Sequence, residues 1–579
     1  PTGRRTDDGW FEVSSGPVDF ALGSRIAPKL VVRVDRGMGN MHGASIGTDP
    51  NGLVLVDALE VADLGAQAVA DARCSLATEQ TACGVVGVCY LGRCADSAAF
   101  VGRLPADGLR EEYLDRRLFE IDHFNGNRVT GRNRDAFLAL MEPLRAVRSP
   151  LAYWGGIAAA YEKLGDGHGA PPFYLVVERP SAGMCLHLGE ADRLPVAGGE
   201  APARLPLVFY ADPANPVAAA LQPGDVLETV DGMPVDEWKA VAGARLMHFG
   251  SPLAREVAIT PDIPDAAALL GAVLGFVRCP AETASTRACT REELQPVVVD
   301  FWNLAGEAFW SGDVSGWRNQ RFACDFRFQR LGGSVPRASY LYAAAGDDGD
   351  VRVLEFNGVP DPSYAAAWIE TVSGALQPTS DLFLLDERVG YGGVFNTVDL
   401  LVTPFIDPLT PVLTEVFPVL GRDLDASTRD AFVECMSSGA VDFLSCSNFF
   451  TYQTGDMYPS MSGTLKDAKA ALLISMDVSG NDWVTRLFKF RSTRSRVFGP
   501  CPTFGAFGSI YNLASYLGEM TGGSAQMGDS LIYQGEPAVP YQLESGPGVQ
   551  PDEVVFQTQS DLLAGRDTLV ERAKAWLRQ

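Results

Sequence analysis

The residues best suited to chemistry are one serine, one histidine and a pair of glycines, far apart in the chain. Ser479 follows an apolar run of strand length, Ala470-Ala471-Leu472-Leu473-Ile474, and precedes a helical pattern from Trp483 to Phe490. A hydroxyl on such a turn is held by a rigid scaffold. The amides that follow it point outward at the helix start, where they can stabilise a developing oxyanion. Serine at a helix start also serves as an N-cap, so position alone does not choose between the two roles. A serine hydroxyl is a weak nucleophile until a neighbouring base takes its proton, and a third group must fix that base's tautomer. Of the 5 histidines (42, 123, 168, 187 and 248), only His168 lies in a turn with glycine on both sides, Gly167-His168-Gly169, beyond a helical face. Gly392 and Gly393 close the segment Asp386-Glu387-Arg388-Val389-Gly390-Tyr391-Gly392-Gly393, which follows a strand pattern at Asp381 to Leu385. The Lys-Ser/Thr of a phosphate loop is missing there and no G-x-G-x-x-G opens a helix, so the better use of those glycines is backbone amides for an oxyanion. Gly43-Ala44-Ser45-Ile46-Gly47 spells G-x-S-x-G, but turn sequence from Thr48 to Gly52 follows where a nucleophile elbow needs a helix.

The elements that must position these residues are partly legible. From about residue 295 onward strand and helix patterns alternate, with Val351 to Phe356 a strand and Ser363 to Leu376 a helix carrying Ala366, Trp368, Ile369 and Val372 on its apolar side. Such alternation predicts an α/β core. Leu109 to Leu164 is helical in pattern, with Phe137, Leu140, Met141 and Leu144, then Trp154, Ile157 and Tyr161, at three- and four-residue steps. Pro195 to Pro206 is rich in Gly, Ala and Pro and reads as a linker. After it, Pro206 to Tyr210 is strand-like. The stretch Leu221 to Val235 then offers a Gly224-Asp225 turn, an alternating strand, an Asp231-Gly232 turn and a further strand start. That order resembles the central unit of a PDZ-like fold, a module that accepts an extended peptide on a sheet edge. Residues 1–73 mix β-prone runs (Lys29 to Val34, Leu53 to Val56) with Gly-rich turns, and a small β-domain and a prosegment are both open readings.

Bulk properties narrow the class. At 579 residues the chain is too long for one core, and about three or four domains are expected. A net charge of −25 argues against nucleic acid and against anionic membrane surfaces, both of which select basic patches. No apolar run reaches the ~20 residues of a membrane helix; Ala266 to Val277 falls short. The chain opens at Pro1 without Met, which fits a processed form. Cys74, Cys83, Cys89 and Cys94 crowd a loop-like segment without the paired close spacing of a zinc site and without an intervening histidine. Two local disulfides are the favoured reading, which implies an oxidising, extracytoplasmic location: periplasmic, cell-surface or secreted. Cys279 and Cys289 flank an Ala/Thr/Ser-rich loop that they could close. The total of 11 cysteines is odd, so at least one thiol is free or paired outside the chain.

Taken in order, a Gly-Asp-Gly-His turn, a PDZ-like insert, Asp-x-Arg-x-Gly-x-Gly-Gly after a strand, and a serine after a strand resemble the S41 peptidases, the C-terminal processing and tricorn-core proteases. The resemblance spans roughly residues 110–560. It implies a multidomain α/β fold: a ClpP/crotonase-like catalytic core (295–579), an inserted PDZ-like β-domain (206–290), a helical part carrying His168 (96–195) and a Cys-rich segment (74–95) after residues 1–73. Processing proteases of the family use a Ser-Lys dyad whose lysine lies in a Thr-Phe-Gly-Lys-Gly turn. Here Thr503-Phe504-Gly505-Ala506-Phe507-Gly508 places Ala506 at that position. The His-Ser-Glu branch, that of the tricorn core and the chlamydial secreted effector protease, is the better match. It implies Ser479 as nucleophile, His168 as base and Glu544 as the carboxylate that orients it, with Glu536 in reserve. Gly480 and the Gly392-Gly393 turn would supply the oxyanion hole. The implied activity is endopeptidase cleavage of protein or peptide substrates through an acyl-enzyme, without cofactor or metal, and a homodimer is one oligomeric state left open. The alternative is a catalytically inactive or latent S41-fold protein that binds peptides or small apolar ligands, as retinoid-binding relatives of the fold do.

Overall fold

The computed structural model describes residues 79–96 in part, scattered helical positions between 111 and 163, 134–147, 182–195, most of 201–300, 339–407 apart from 389, 413–418, 449–453, 458–505 with three gaps, and 531–534, 542–543 and 548–579. Residues 1–73, His168, Ala506, Glu536 and Glu544 lie outside this set, so the N-terminal strand expectations and two site expectations fall beyond it.

A short helix α1 (Glu79–Cys83) leads into the hairpin β1 (Gly87–Tyr90) and β2 (Arg93–Asp96), and a Cys83–Cys94 disulfide ties helix to hairpin. The second helix, α2 (Arg134–Met141), runs into a 3-10 turn at Glu142–Ala146, where Pro143 sits at the helix start and costs no hydrogen bond. Phe137, Met141 and Leu144 are buried at helical spacing. They share one apolar core with Ile157 and with Leu186, Val208, Leu227, Leu274 and Phe276 of the first large sheet.

That sheet runs in the order β19-β3-β4-β5-β7-β8, with β6 added to β5. Its strands are β3 (Met184–Glu190), β4 (Arg204–Ala211), β5 (Val226–Val230), β6 (Met233–Pro234), β7 (Val273–Arg278), β8 (Gln295–Asp300) and, from the far C-terminus, β19 (Gln557–Thr558). Helices α3 (Pro252–Ile259) and α4 (Ala281–Ala284) interrupt them. The segment 195–206, expected to be a linker, instead joins the antiparallel neighbours β3 and β4. A hairpin connection and an interdomain linker share the same Gly/Pro composition, which is why the two were not separable. Asp231 and Gly232 both have positive φ, 51° and 77°, the two-residue turn that a twisted β5–β6 hairpin needs. Cys279 and Cys289 form the expected disulfide across α4.

The second large sheet has the order β18-β15-β14-β11-β10-β9. Strands β10 (Val351–Phe356), β11 (Leu382–Asp386), β14 (Lys469–Leu473), β15 (Ser495–Gly499) and β18 (Glu553–Val554) are parallel, and β9 (Ala343–Asp348) closes the edge antiparallel to β10. Both faces are covered. On one, Leu354, Phe383, Leu385, Ala470, Leu472 and Val497 pack under α5 (Ala366–Ala375), α6 (Phe395–Val402) and α7 (Gly480–Arg491). On the other, Val353, Leu384, Ala471, Leu473 and Phe498 pack under α9 (Thr568–Leu577), which follows the short α8 (Gln559–Leu563). Strands buried on two faces read as continuous apolar runs, so β11 and β14 were visible without alternation. Strands β12 (Leu413–Pro418), β13 (Phe449–Gln453), β16 (Leu531–Gln534) and β17 (Gln542–Leu543) form a four-stranded antiparallel sheet in the order β13-β12-β16-β17. Among the described residues no helix is long and apolar enough to cross a membrane.

Candidate active site

The carboxyl ends of β11 and β14 lie side by side, with Asp386 paired to Leu473, and the segments that leave them form the site. After Ile474 the chain turns through Ser475 and Asp477 to Ser479 and then enters α7. Asp477, fully buried, accepts hydrogen bonds from the Ser475 amide at 2.6 Å and from the Gly390 amide at 2.8 Å, so one carboxyl pins the serine turn to the glycine turn.

Ser479 precedes the first residue of α7, yet its side chain makes no capping hydrogen bond. The N-cap reading of this serine therefore fails. Its backbone has φ 60° and ψ −120°, and apart from Asp231 it is the one described non-glycine residue with positive φ. Outside the left-handed helical well, such a conformation costs on the order of 1–3 kcal/mol. The chain thus holds a partly exposed, uncapped serine on a strained strand-to-helix turn, the arrangement that presents a nucleophile above a sheet.

Gly480 follows, and its place explains its identity. A Cβ there would lie 2.8 Å from the Gly393 amide nitrogen and 2.4 Å from Val359 Cγ2. The start of α7 is therefore in contact with the Gly392–Gly393 turn. That turn is clamped: the Val359 amide donates to the Gly392 carbonyl at 2.9 Å, and the Val394 amide donates to the Val359 carbonyl at 2.8 Å. The Gly392 amide donates to Asn481 Oδ1 at 2.8 Å. No acceptor for the Gly393 amide lies among the described residues. Gly393 has φ 139°, and the space a side chain would need is filled by the Val359 carbonyl and the Tyr340 hydroxyl, 2.0 and 2.2 Å from an ideal Cβ. Of the two glycines expected to serve an oxyanion, Gly392 spends its N–H inside the protein and Gly393 keeps its own.

Replacing Gly480 by alanine should push α7 off this turn. We expect a folded protein whose reaction with an active-site-directed probe slows at least ~10²-fold, the usual consequence of misplacing one oxyanion donor. Circular dichroism and labelling rates on the same preparation check it.

Behind the turns lies a cluster of carboxyls. Glu387 and Asp482 are fully buried with Asp477, and Glu387 accepts from Asn481 Nδ2 at 2.8 Å and pairs with Thr485 Oγ1 at 2.7 Å. Burial, reinforced by the Asp477 charge, pushes the Glu387 carboxyl well above the usual carboxylate range. Burial raises Asp477 too, while its two backbone donors oppose the rise. Arg388 is the neighbouring cation and is committed elsewhere. It donates to Asp386 at 2.6 and 2.9 Å and to Asp567, the N-cap of α9, at 2.8 and 3.2 Å. Asp386 and Arg388 thus brace the base of the glycine turn.

The turn expected to carry a lysine in processing proteases abuts the serine turn. The Phe504 amide donates to the Asp477 carbonyl at 2.9 Å, and the Gly505 amide donates to Asp482 Oδ1 at 2.9 Å. Thr503 Oγ1 accepts from the Val549 amide at 2.9 Å, and Gly548 packs so tightly on the Thr503 carbonyl that no Cβ fits. The Gly548-Val549 segment downstream of Glu544 is therefore tied to the serine turn through Thr503.

Of the expected site residues, Ser479, Gly480, Gly392 and Gly393 are brought together, and His168 and Glu544 lie outside the described residues. Asn481, Glu387, Asp477 and Thr485 were not singled out. The signal available was a carboxylate directly after a buried strand, at Glu387, and an Asn-Asp pair opening a helix. Among the described residues no group of three or more His, Cys, Asp or Glu side chains could hold a metal ion.

No family model matches the sequence, and no curated protein matches it. Solved structures to which the chain is similar include S41-type proteases. A structure of mature CPAF complexed with lactacystin has 14% identity, covers 82% of this chain and 98% of its own, and has a TM-score of 0.49. The photosystem II D1 C-terminal processing protease has 12% identity, covers 77% and 92%, and has a TM-score of 0.29. A Bacteroides fragilis protein assigned as an S41 protease has 12% identity, covers 69% and 82%, and has a TM-score of 0.31.

Proposed function

We propose that this chain is a serine endopeptidase of the S41 type, in its His-Ser-Glu branch. The observation that carries the reading is the uncapped Ser479 on a strained turn, in contact with a glycine turn whose Gly393 amide has no acceptor among the described residues. Ser479 Oγ attacks the scissile carbonyl while His168 takes its proton. The tetrahedral oxyanion is met by the amides of Gly480 and Gly393. His168 then protonates the leaving amine, and water hydrolyses the acyl-enzyme by the same route in reverse. Glu544 holds the His168 ring and stabilises the imidazolium. Its neighbourhood supports the role, since Gly548 and Val549 are tied to Thr503 beside the serine turn.

In this reading residues 295–579 form a ClpP/crotonase-like core. The PDZ-like unit, placed at 206–290 by sequence, takes in β3 and β8 at its ends and presents extended peptide substrate to the site. Disulfides at Cys83–Cys94 and Cys279–Cys289 support an extracytoplasmic location.

The test is labelling of the full chain with a fluorophosphonate, followed by peptide mapping. A single adduct on Ser479, lost in His168→Ala, is the expected result. An adduct elsewhere, or none on the native chain in the presence of cleavable peptide, would favour a binding protein built on the same fold.

A further inference from the structure

Two segments that share no local sequence logic are joined by a buried strut. Asn481, at the start of α7, reaches both ways: its Oδ1 accepts from the Gly392 amide at 2.8 Å and its Nδ2 donates to Glu387 Oε2 at 2.8 Å. Glu387 Oε1 lies 2.7 Å from Thr485 Oγ1, and Thr485 Oγ1 lies 3.2 Å from the Asn481 carbonyl. All three side chains are fully buried. We infer that Asn481, Glu387 and Thr485 are positioning residues that set the Gly392–Gly393 turn against the Ser479 turn, and so aim the Gly393 amide at the reaction centre. The inference rests on the serine-peptidase reading of that centre.

In this role the Glu387 carboxyl carries a proton, because it is fully buried beside the carboxyls of Asp477 and Asp482, and the hydrogen bonds around it accommodate the neutral acid. The Gly392 N–H can only meet an oxygen, which fixes the Asn481 amide with its nitrogen toward Glu387. Thr485 has one hydroxyl proton and two oxygens within reach. With the acid proton on Oε1, Glu387 can donate to Thr485 Oγ1, which then donates onward to the Asn481 carbonyl. An ionised Glu387 would instead place a charge with no solvent contact near Asp477, on the serine turn, and Asp482, on α7. From β11 and the loop after it, Asp386 and Arg388 complete the surroundings, with Asp567 of the α9 N-cap. Arg388 is held by both aspartates, and among the described residues neither Glu387 nor Asp477 has an ion pair. Burial and Asp477 act in the same direction on Glu387, toward the neutral form. The sign follows: a carboxyl whose folded value is raised contributes stability that is present in acid and lost as pH rises through that value. The turn should therefore loosen on the alkaline side.

The experiment compares Glu387→Gln, Glu387→Ala and Asn481→Ala in the full chain, with kcat and KM measured separately across pH. Glutamine can accept from Asn481 and donate to Thr485, so it copies the protonated acid and not the carboxylate. Glu387→Gln should keep kcat within a few-fold of wild type at neutral pH and lose the alkaline decline. Glu387→Ala and Asn481→Ala should lower kcat ~10²-fold at little-changed KM. Difference infrared spectra of wild type against Glu387→Gln should contain a protonated-carboxyl band. Glu387→Gln as damaging as Glu387→Ala, or no such band, overturns the protonated role. Folded alanine variants with wild-type kcat overturn the positioning role. Failure of the underlying reading looks different: the native chain itself then takes no fluorophosphonate on Ser479, and the inference falls with it.

Discussion

Under the proposed mechanism Ser479→Ala is expected to lower kcat by about 10⁴–10⁶-fold, because the hydroxyl that would carry the acyl group is gone and only binding and oxyanion contacts remain. The same substitution should leave the fold intact. Ser479 makes no capping hydrogen bond whose loss would unravel α7, and its side chain is partly exposed. Ser479→Gly makes the sharper comparison. At φ 60° and ψ −120° glycine is relieved of the strain that a Cβ imposes, so this variant should be as inactive as the alanine form and more stable than wild type by ~1 kcal/mol or more. Parallel burst kinetics and thermal denaturation measure both. An inactive but destabilised glycine variant would mean that the turn stores no strain. An active alanine variant would remove Ser479 from the chemistry altogether.

The parts of this molecule visible in its sequence are those decided within a few residues. The runs at Val351 to Phe356 and Asp381 to Leu385 read as strands because helices cover both faces of their sheet, and the Asp231-Gly232 turn announces its own geometry. Ser479, Gly480 and the Gly392-Gly393 turn stand out by their places after strands, and the pairing of those strands brings them together. What could not be read depends on distant partners. Strand β3 went unnoticed because buried His187 and Gly189 interrupt its apolar pattern. Gly189 is required there because the Gln557 carbonyl, from the other end of the chain, lies where its Cβ would be. Glu387 looked like a turn residue, and only the pairing of β11 with β14 places it under Asn481. Which of two adjacent glycines offers its amide was likewise hidden, since the Asn481 side chain decides it.

The largest effect on stability is expected at Arg388. Its guanidinium is buried between Asp386, at the end of β11, and Asp567, which caps α9 through the amides of Leu569 and Val570. This one side chain fastens the helix that covers the second face of the sheet to the strand from which the glycine turn departs. Arg388→Ala strands two carboxyls without their cation, and losing one partner of a buried ionic group costs about 3–5 kcal/mol. Lysine should rescue little, because a single ammonium cannot bond both carboxylates in the forked geometry. The pH dependence identifies the cause. Burial already raises Asp567, and Arg388 is the main group that opposes that rise, with a smaller share from the Val570 amide. Without the guanidinium the folded-state value climbs further above the unfolded one, so the variant gains relative stability in acid and loses it as pH rises through the raised value. The difference in Tm between wild type and Arg388→Ala should accordingly be smallest near pH 4, about the ordinary aspartate value, and widest at neutral pH. A deficit that stays constant across this range would assign the loss to packing of the guanidinium rather than to its charge. Because Asp386 and Arg388 also anchor the glycine turn, the variant should lose fluorophosphonate reactivity at temperatures where α7 and its Ser479 turn remain folded. This distinguishes a bracing role from general unfolding.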